Sequence, residues 1–263
     1  MTQYPTSIGR SDADSITLLG HDLAGELMGQ VGFGELAFWL VAGRRPSAGE
    51  LRVFEAVLVA LADHGLTPSA IAARLTLTGA PESVQGALAA GLLGGGSRFL
   101  GTTEDCGRML SEGLASYPGP ALADDAAFDA LAGRIVTEAR AARRVLPGLG
   151  HPVHKTGDPR TPVLIAIATE SGVYGAHLRL FEAIGRVHPA ILGRTLPLNG
   201  AGVCGAALAD LGFPVETLRG FALLARTAGL LGHIAEEQRR PIGMAVYHDV
   251  DRSTDYRIDP NHR

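Results

Sequence analysis

Lysine is almost missing from this 263-residue chain: Lys155 is the only one, and arginine carries the remaining positive charge. Cysteine is scarce too. Cys106 and Cys204 match no metal-ligand spacing and make no disulfide framework, so they read as buried or semi-buried free thiols in a reducing, cytoplasmic setting, and no metal is predicted. No apolar run approaches the ~20 residues that span a bilayer. The first residues, Met1-Thr2-Gln3-Tyr4-Pro5, have neither a basic head nor an apolar core, which argues against secretion. A net charge of −4 without a basic block argues against nucleic acid as a partner. The expected partners are small molecules.

What is present is mostly Ala, Leu and Gly at helical period. Ser47-Ala48-Gly49-Glu50 has capping-box spacing, followed by Leu51, Phe54, Val57, Leu58 and Leu61 along one face. Thr67-Pro68 is a cap with proline at the first helical position, and Gly79 is a stop. Pro81 is read as opening the next helix. Asp124 and Asp125 begin a segment that ends in Arg140, Arg143 and Arg144, an arrangement that suits the helix macrodipole. Further helices are expected after Thr161-Pro162, from Ala176 to Val187, from Val203 to Leu211, and from Glu216 to Gln238. Only Met244 to Tyr247 reads as a brief strand. The fold class is all-α. Pro118-Gly119-Pro120 and Pro147-Gly148-Leu149-Gly150 are turn-rich breaks. They suggest a smaller helical domain, 121–223, inserted into a larger one of 1–120 plus 224–263.

Chemical diversity is concentrated in one loop, Gly148-Leu149-Gly150-His151-Pro152-Val153-His154-Lys155-Thr156-Gly157-Asp158-Pro159-Arg160. Lys155 and Arg160 are phosphate ligands or solvated charges, and His154 is a proton carrier or an exposed loop histidine. Asp63-His64-Gly65 closes an apolar helix, with His64 either at the terminal carbonyls or turned to a ligand. Arg98 follows Gly94-Gly95-Gly96, a turn or close backbone approach rather than a P-loop. Arg226 lies inside an otherwise apolar helix. A guanidinium cannot shed its charge, so a buried one requires an anion from the protein or a ligand.

The order of these motifs resembles the citryl-CoA lyase branch of the citrate synthase superfamily, including the C-terminal module of ATP-citrate lyase. Asp-His-Gly, Gly-Leu-Leu-x-x-Gly-x-Arg-Phe, Gly-x-Gly-His-x-Val, Leu-Asn-x-x-Gly and Arg-x-x-Gly-x-x-Gly-His occur in sequence between about Phe33 and Val250. The resemblance implies a mostly helical two-domain subunit, working as a homodimer or higher homo-oligomer on a CoA thioester and an oxo-acid, with the site in an interdomain cleft. It implies His151 as the group that polarises the oxo-acid carbonyl, with His64 nearby. Arg226, Arg240 of Arg240-Pro241, and Asn199 fall to the substrate, while Lys155, Arg160 and Arg98 fall to coenzyme A.

Three departures bear on the reaction. Gly94 stands where citrate synthases carry a histidine, which points to the lyase branch. Ala201 in Leu198-Asn199-Gly200-Ala201-Gly202 stands where the family has the aspartate that acts as general base, and alanine moves no proton. General base assistance is worth roughly 10²–10⁴-fold. Pro152 replaces the arginine that follows the family histidine. The expectation is a carbon–carbon lyase on a CoA thioester other than citryl-CoA, with His151, His154, His64 or Asp63 moving the proton. The alternatives are a non-catalytic or partner-dependent CoA-binding relative, and a retro-Claisen hydrolase acting on a ketone without CoA.

Overall fold

The computed structural model describes residues 3–117, 122, 124–259 and 261. The break anticipated at Pro118-Gly119-Pro120 lies outside them. The chain divides into two compact units, Met1–Ala60 with Thr102–Leu218, and Leu61–Gly101 with Arg219–Arg263. These bounds differ from the anticipated insertion at 121–223.

The first unit opens with a small antiparallel sheet that the sequence reading lacked: β1 (Gly9–Ser11), β2 (Ile16–Leu18) and β3 (His21–Asp22). Asp12 turns the chain by accepting the amides of Asp14 and Ser15. Leu19 and Gly20, both at positive φ, make the two-residue turn between β2 and β3. A leucine in that conformation hides the hairpin from a search for Asn-Gly.

The helices of this unit are α1 (Phe33–Ala42), α2 (Ala48–Ala62), α5 (Thr102–Ala115), α6 (Asp125–Ala141), α7 (Arg160–Glu170), α8 (Ala176–Leu192) and α9 (Gly200–Asp210). The capping box is formed: the Glu50 amide donates to Ser47 Oγ at 3.3 Å, and the Ser47 amide to Glu50 Oε2 at 2.8 Å. With the Arg44 guanidinium beside it, Glu50 is held down to about 2, against the effect of its burial. Phe38, Phe54 and Phe213 pack as one aromatic cluster, with ring centroids 4.8–5.7 Å apart. Helix α6 runs in the same direction as α8: Asp125 and Asp129 meet Arg179 and Arg186, and Arg140 donates to the Ile191 carbonyl at the far end. The small residues of α9 give close packing, with the Thr103 carbonyl of α5 lying directly against Gly205. Cys106 and Cys204 are buried free thiols, and burial pushes Cys204 up to about 12.

The second unit contains α3 (Pro68–Gly79), α4 (Val84–Leu93), α10 (Leu218–Arg239) and α11 (Gly243–Arg252). Ala73, Leu77, Ala87, Leu230 and Ile234 form its core, and the absence of a side chain at Gly91 lets Leu230 close on α4. Thr67 caps α3 as expected. Two readings are corrected. Helix α4 is capped by Ser83, whose Oγ accepts the Gly86 amide, so Pro81 belongs to the preceding turn. Met244–Tyr247 is helical, because four consecutive apolar residues are too few to outweigh the amphipathic face that continues through α11. No helix among the described residues is long and apolar enough to cross a membrane.

Candidate functional site

In the first unit, the loop after α6 is stitched to the start of α9. Gly148 and Gly150 lie at φ +89° and +83°, where other residues are strained. The Asn199 amide donates to the Gly148 carbonyl at 2.9 Å, and the Gly150 amide to the Pro197 carbonyl at 2.7 Å. Asn199 Nδ2 donates to the Gly150 carbonyl at 2.8 Å, while its Oδ1 caps α9 by accepting the Gly202 amide. Asn199 therefore fixes the loop with its own side chain. A methyl group on Gly202 would fall 2.5 Å from Gly148 Cα.

His151 follows this junction. Its Nδ1 accepts the backbone amides of Val153 and His154 at 3.1 and 3.0 Å. A nitrogen that accepts carries no proton, so in the neutral ring Nε2 holds the hydrogen and is a donor. The half-buried His154 ring stacks beside it, with centroids 4.4 Å apart. Lys155 is exposed. Arg160 is placed differently: Nε and Nη2 donate to Asp158, and Nη1 to the Ala60 carbonyl. Asp158 is fully buried and also accepts the amides of Arg160 and Gly200. Burial works to raise its pKa, but these hydrogen bonds, led by Arg160, outweigh burial and hold it well below the usual carboxylate range. Arg160 thus ties Asp158 to the Ala60 carbonyl of α2, and Asp158 in turn ties the loop to α9 through the Gly200 amide. Ala201 is half-buried, while residues 202–209 after it are buried.

Sequence reasoning missed a second feature of this unit. Arg140, Arg143, Arg144 and Arg194 surround a cavity of about 530 Å³ floored by Leu146 and Leu149. Arg143 sits at φ +52°, rare for a side-chain-bearing residue. Three of these arginines were legible at the end of α6 but read only as dipole partners. Convergence with Arg194 depends on the parallel pairing of α6 and α8.

In the second unit, Asp63 joins two groups of α10. His233 Nε2 donates to Asp63 Oδ1 at 2.9 Å, and Arg226 Nη1 lies 3.8 Å from the same oxygen. Arg226 is buried, and Asp63 supplies the anion its position demands. Burial raises the Asp63 pKa, but the Gly65 amide and His233 together bring it below its ordinary value. His64 is half-buried between Asp63 and the left-handed Gly65. Arg98 is exposed in the turn where the Gly96 carbonyl accepts the amides of Phe99, Leu100 and Gly101.

Arg74, another buried arginine, was overlooked, although it too is a lone charge in an apolar helix. It donates to Glu237 at 2.6 Å, to Glu236 at 2.9 Å and to the Arg240 carbonyl at 3.1 Å. The other Glu237 oxygen accepts the amides of Ile242 and Gly243. Burial opposes the charge on Glu237, but Arg74 and these amides keep its pKa lowered. The turn after α10 is thereby fixed, and the Arg240 residue it carries is exposed.

A helical fold with a glycine-hinged histidine loop bound to a small-residue helix defines a protein of the citrate synthase class. Residues 6–244 match the family of the citrate synthase C-terminal domain, and the chain belongs to that family. It fits the citryl-CoA lyase branch. The structure of citryl-CoA lyase from Hydrogenobacter thermophilus matches with a TM-score of 0.85 and 31% identity, over 98% of this chain and 95% of that one. ATP citrate lyase from Methanothrix soehngenii, solved with citrate and coenzyme A, matches with a TM-score of 0.79 and 22% identity, over 100% of this chain and 43% of that one. A probable ATP-citrate synthase of Caenorhabditis elegans is 23% identical over 261 residues, covering 92% of this chain. This chain spans about a fifth of that curated relative, 22% of its length.

Proposed function

We propose that the protein is a carbon–carbon lyase acting on a CoA thioester other than citryl-CoA. The observation that carries this reading is His151, whose Nδ1 is taken by two backbone amides so that Nε2–H is the donor. In a retro-Claisen cleavage the bond between the hydroxyl-bearing carbon and the thioester α-carbon breaks. The hydroxyl oxygen becomes a carbonyl, and the α-carbon takes a proton. His151 steadies charge on that oxygen, as a fixed donor aimed at developing charge does. With Ala201 in place of an acid, His154 is the proton carrier, supported by its ring contact with His151, and His64 is the second candidate.

Arg226 and Arg240 bind substrate carboxylate. Lys155, Arg98 and the four-arginine cavity suit the phosphates of coenzyme A, whereas Arg160 and Asn199 serve by holding the loop. Pro152 removes a cation that citrate would use, which favours a substrate with fewer carboxylates. The protein acts in the cytoplasm as a homodimer or larger homo-oligomer.

The test is incubation of the purified protein with a panel of 3-hydroxyacyl-CoA thioesters and free ketones, with products read by mass spectrometry. We expect cleavage of a thioester to acyl-CoA and a carbonyl compound, lowered about 10²–10⁴-fold by His151→Ala. CoA binding without turnover across the panel supports a non-catalytic relative, for which Ala201 is the favouring observation. Turnover of a ketone without CoA binding supports a hydrolase.

A further inference from the structure

Several helical hydroxyls in this protein return to their own helix, although Thr161 of α7 donates to the Leu198 carbonyl. Thr78, Thr137, Thr169 and Thr227 each donate to the carbonyl four residues earlier. Ser111, within α5, does not follow them. Its Oγ lies 3.1 Å from His177 Nε2, and His177 Nδ1 lies 2.9 Å from Asp210 Oδ1. Serine, histidine and aspartate from three helices of one unit thus form a continuous hydrogen-bonded line.

The protonation pattern follows from the partners. A carboxylate only accepts, so Nδ1 carries the imidazole hydrogen, Nε2 accepts, and the Ser111 hydroxyl donates to it. Asp210 is rigid in its role. It also accepts the amides of Gly175, His177 and Leu178, at 3.0, 2.9 and 3.0 Å, which caps α8. A side chain on Gly175 would collide with the carboxylate. Capping alone needs those amides and the aspartate, and gives no reason for the His177 ring to bridge to a serine. The Asp210 side chain is 4% exposed while that of His177 is 21% exposed, so the anion is shielded and the base reaches solvent. Ser111 is half-buried.

We propose that Ser111 is a nucleophile, with His177 as its base and Asp210 as the orienting group, directed at small acyl esters with a good leaving group. The leaving-group requirement comes from α5 itself, whose backbone amides at this position are engaged in the helix and offer no oxyanion donor. A missing donor costs roughly 10²–10³-fold, a loss only an activated ester tolerates. In the step, Ser111 Oγ bonds to the acyl carbon and its proton passes to His177 Nε2. The bond from that carbon to the leaving oxygen breaks, and the leaving group takes the proton. Water then attacks the acyl-serine, gives a proton to the same nitrogen, and releases the carboxylic acid as Oγ is reprotonated. This chemistry uses none of the residues assigned to the lyase reading.

The test is reaction of the full-length protein with p-nitrophenyl acetate and with an alkyl fluorophosphonate, followed by intact-mass and peptide mapping. We expect one adduct, on Ser111, absent in Ser111→Ala and formed about 10²-fold more slowly in His177→Gln, with both variants melting near the wild type. Absence of an adduct on Ser111, or labelling of Ser111 at an unchanged rate in His177→Gln, overturns the proposal. Should Ser111→Ala fail to fold, His177→Gln alone decides.

Discussion

The loop Gly148–Arg160 and the stretch Arg226–Arg240 hold their candidate groups by different physics. The loop relies on close approach and backbone hydrogen bonding: glycine meets glycine at Gly148 and Gly202, and amides fix the tautomer of His151. The α10 stretch relies on buried charge, in which Asp63, Arg74 and Glu237 anchor His233, Arg226 and the turn at Arg240. Atoms a few tenths of an ångström out of place would upset the first. Loss of a single charge would upset the second.

The largest effect is therefore expected in the second region. Arg74→Ala leaves Glu237 buried without its main partner, a loss of about 3–5 kcal/mol, and a fall in melting temperature on the order of 10 °C. Replacing both Arg74 and Glu237 with Met should cost less than the two single changes added together. A shift of only about 2 °C for Arg74→Ala would show that the pair is not structural. A smaller effect is expected in the loop, where Gly202→Ala forces a methyl group against Gly148 Cα and Phe181. Overpacking of this kind costs about 1–3 kcal/mol. Faster amide exchange at Val153 and His154 should accompany it, and unaltered exchange would mean that His151 is oriented by something else.

The smallest effect distinguishes acid responses. Asp158 and Glu237 both have lowered pKa values in the folded state. Their contributions are complete above the unfolded carboxylate range, near pH 4, and disappear as pH falls through the lowered values. Asp158→Asn should flatten the acid side of the stability curve without altering its slope above about pH 6. An acid limb identical to that of the wild type would refute this assignment.

How far the sequence reaches depends on the range of the interaction. Caps such as Ser47 with Glu50, Thr67 and Asp124 act within three residues, and the helices they begin were readable. Arg226 was readable as well, because a lone guanidinium in an apolar helix demands an anion wherever that anion comes from. Arg74 carried the same signal and was overlooked, but its pairing with Glu237, like that of Ser111 with His177, joins residues far apart in sequence and leaves no periodic trace. Asn199 and Arg160 were read as ligand-facing, and the range of their hydrogen bonds was not legible: Asn199 ties the loop to α9, and Arg160 ties Asp158 to the Ala60 carbonyl of α2. The β2–β3 turn escaped because Leu19 adopts a conformation that leucine seldom takes.

The proposed reaction is a lyase cleavage whose substrate is not citryl-CoA, a proposal that Ala201 and Pro152 support. The most direct measurement is the rate of acyl-CoA release by the wild-type protein from citryl-CoA and from other 3-hydroxyacyl-CoA thioesters, side by side. The predicted result is cleavage of at least one non-citryl thioester on the order of 10²-fold faster than citryl-CoA, the discrimination expected where Pro152 leaves a citrate carboxylate without its charged hydrogen bond. Citryl-CoA cleaved as fast as the best alternative would contradict it.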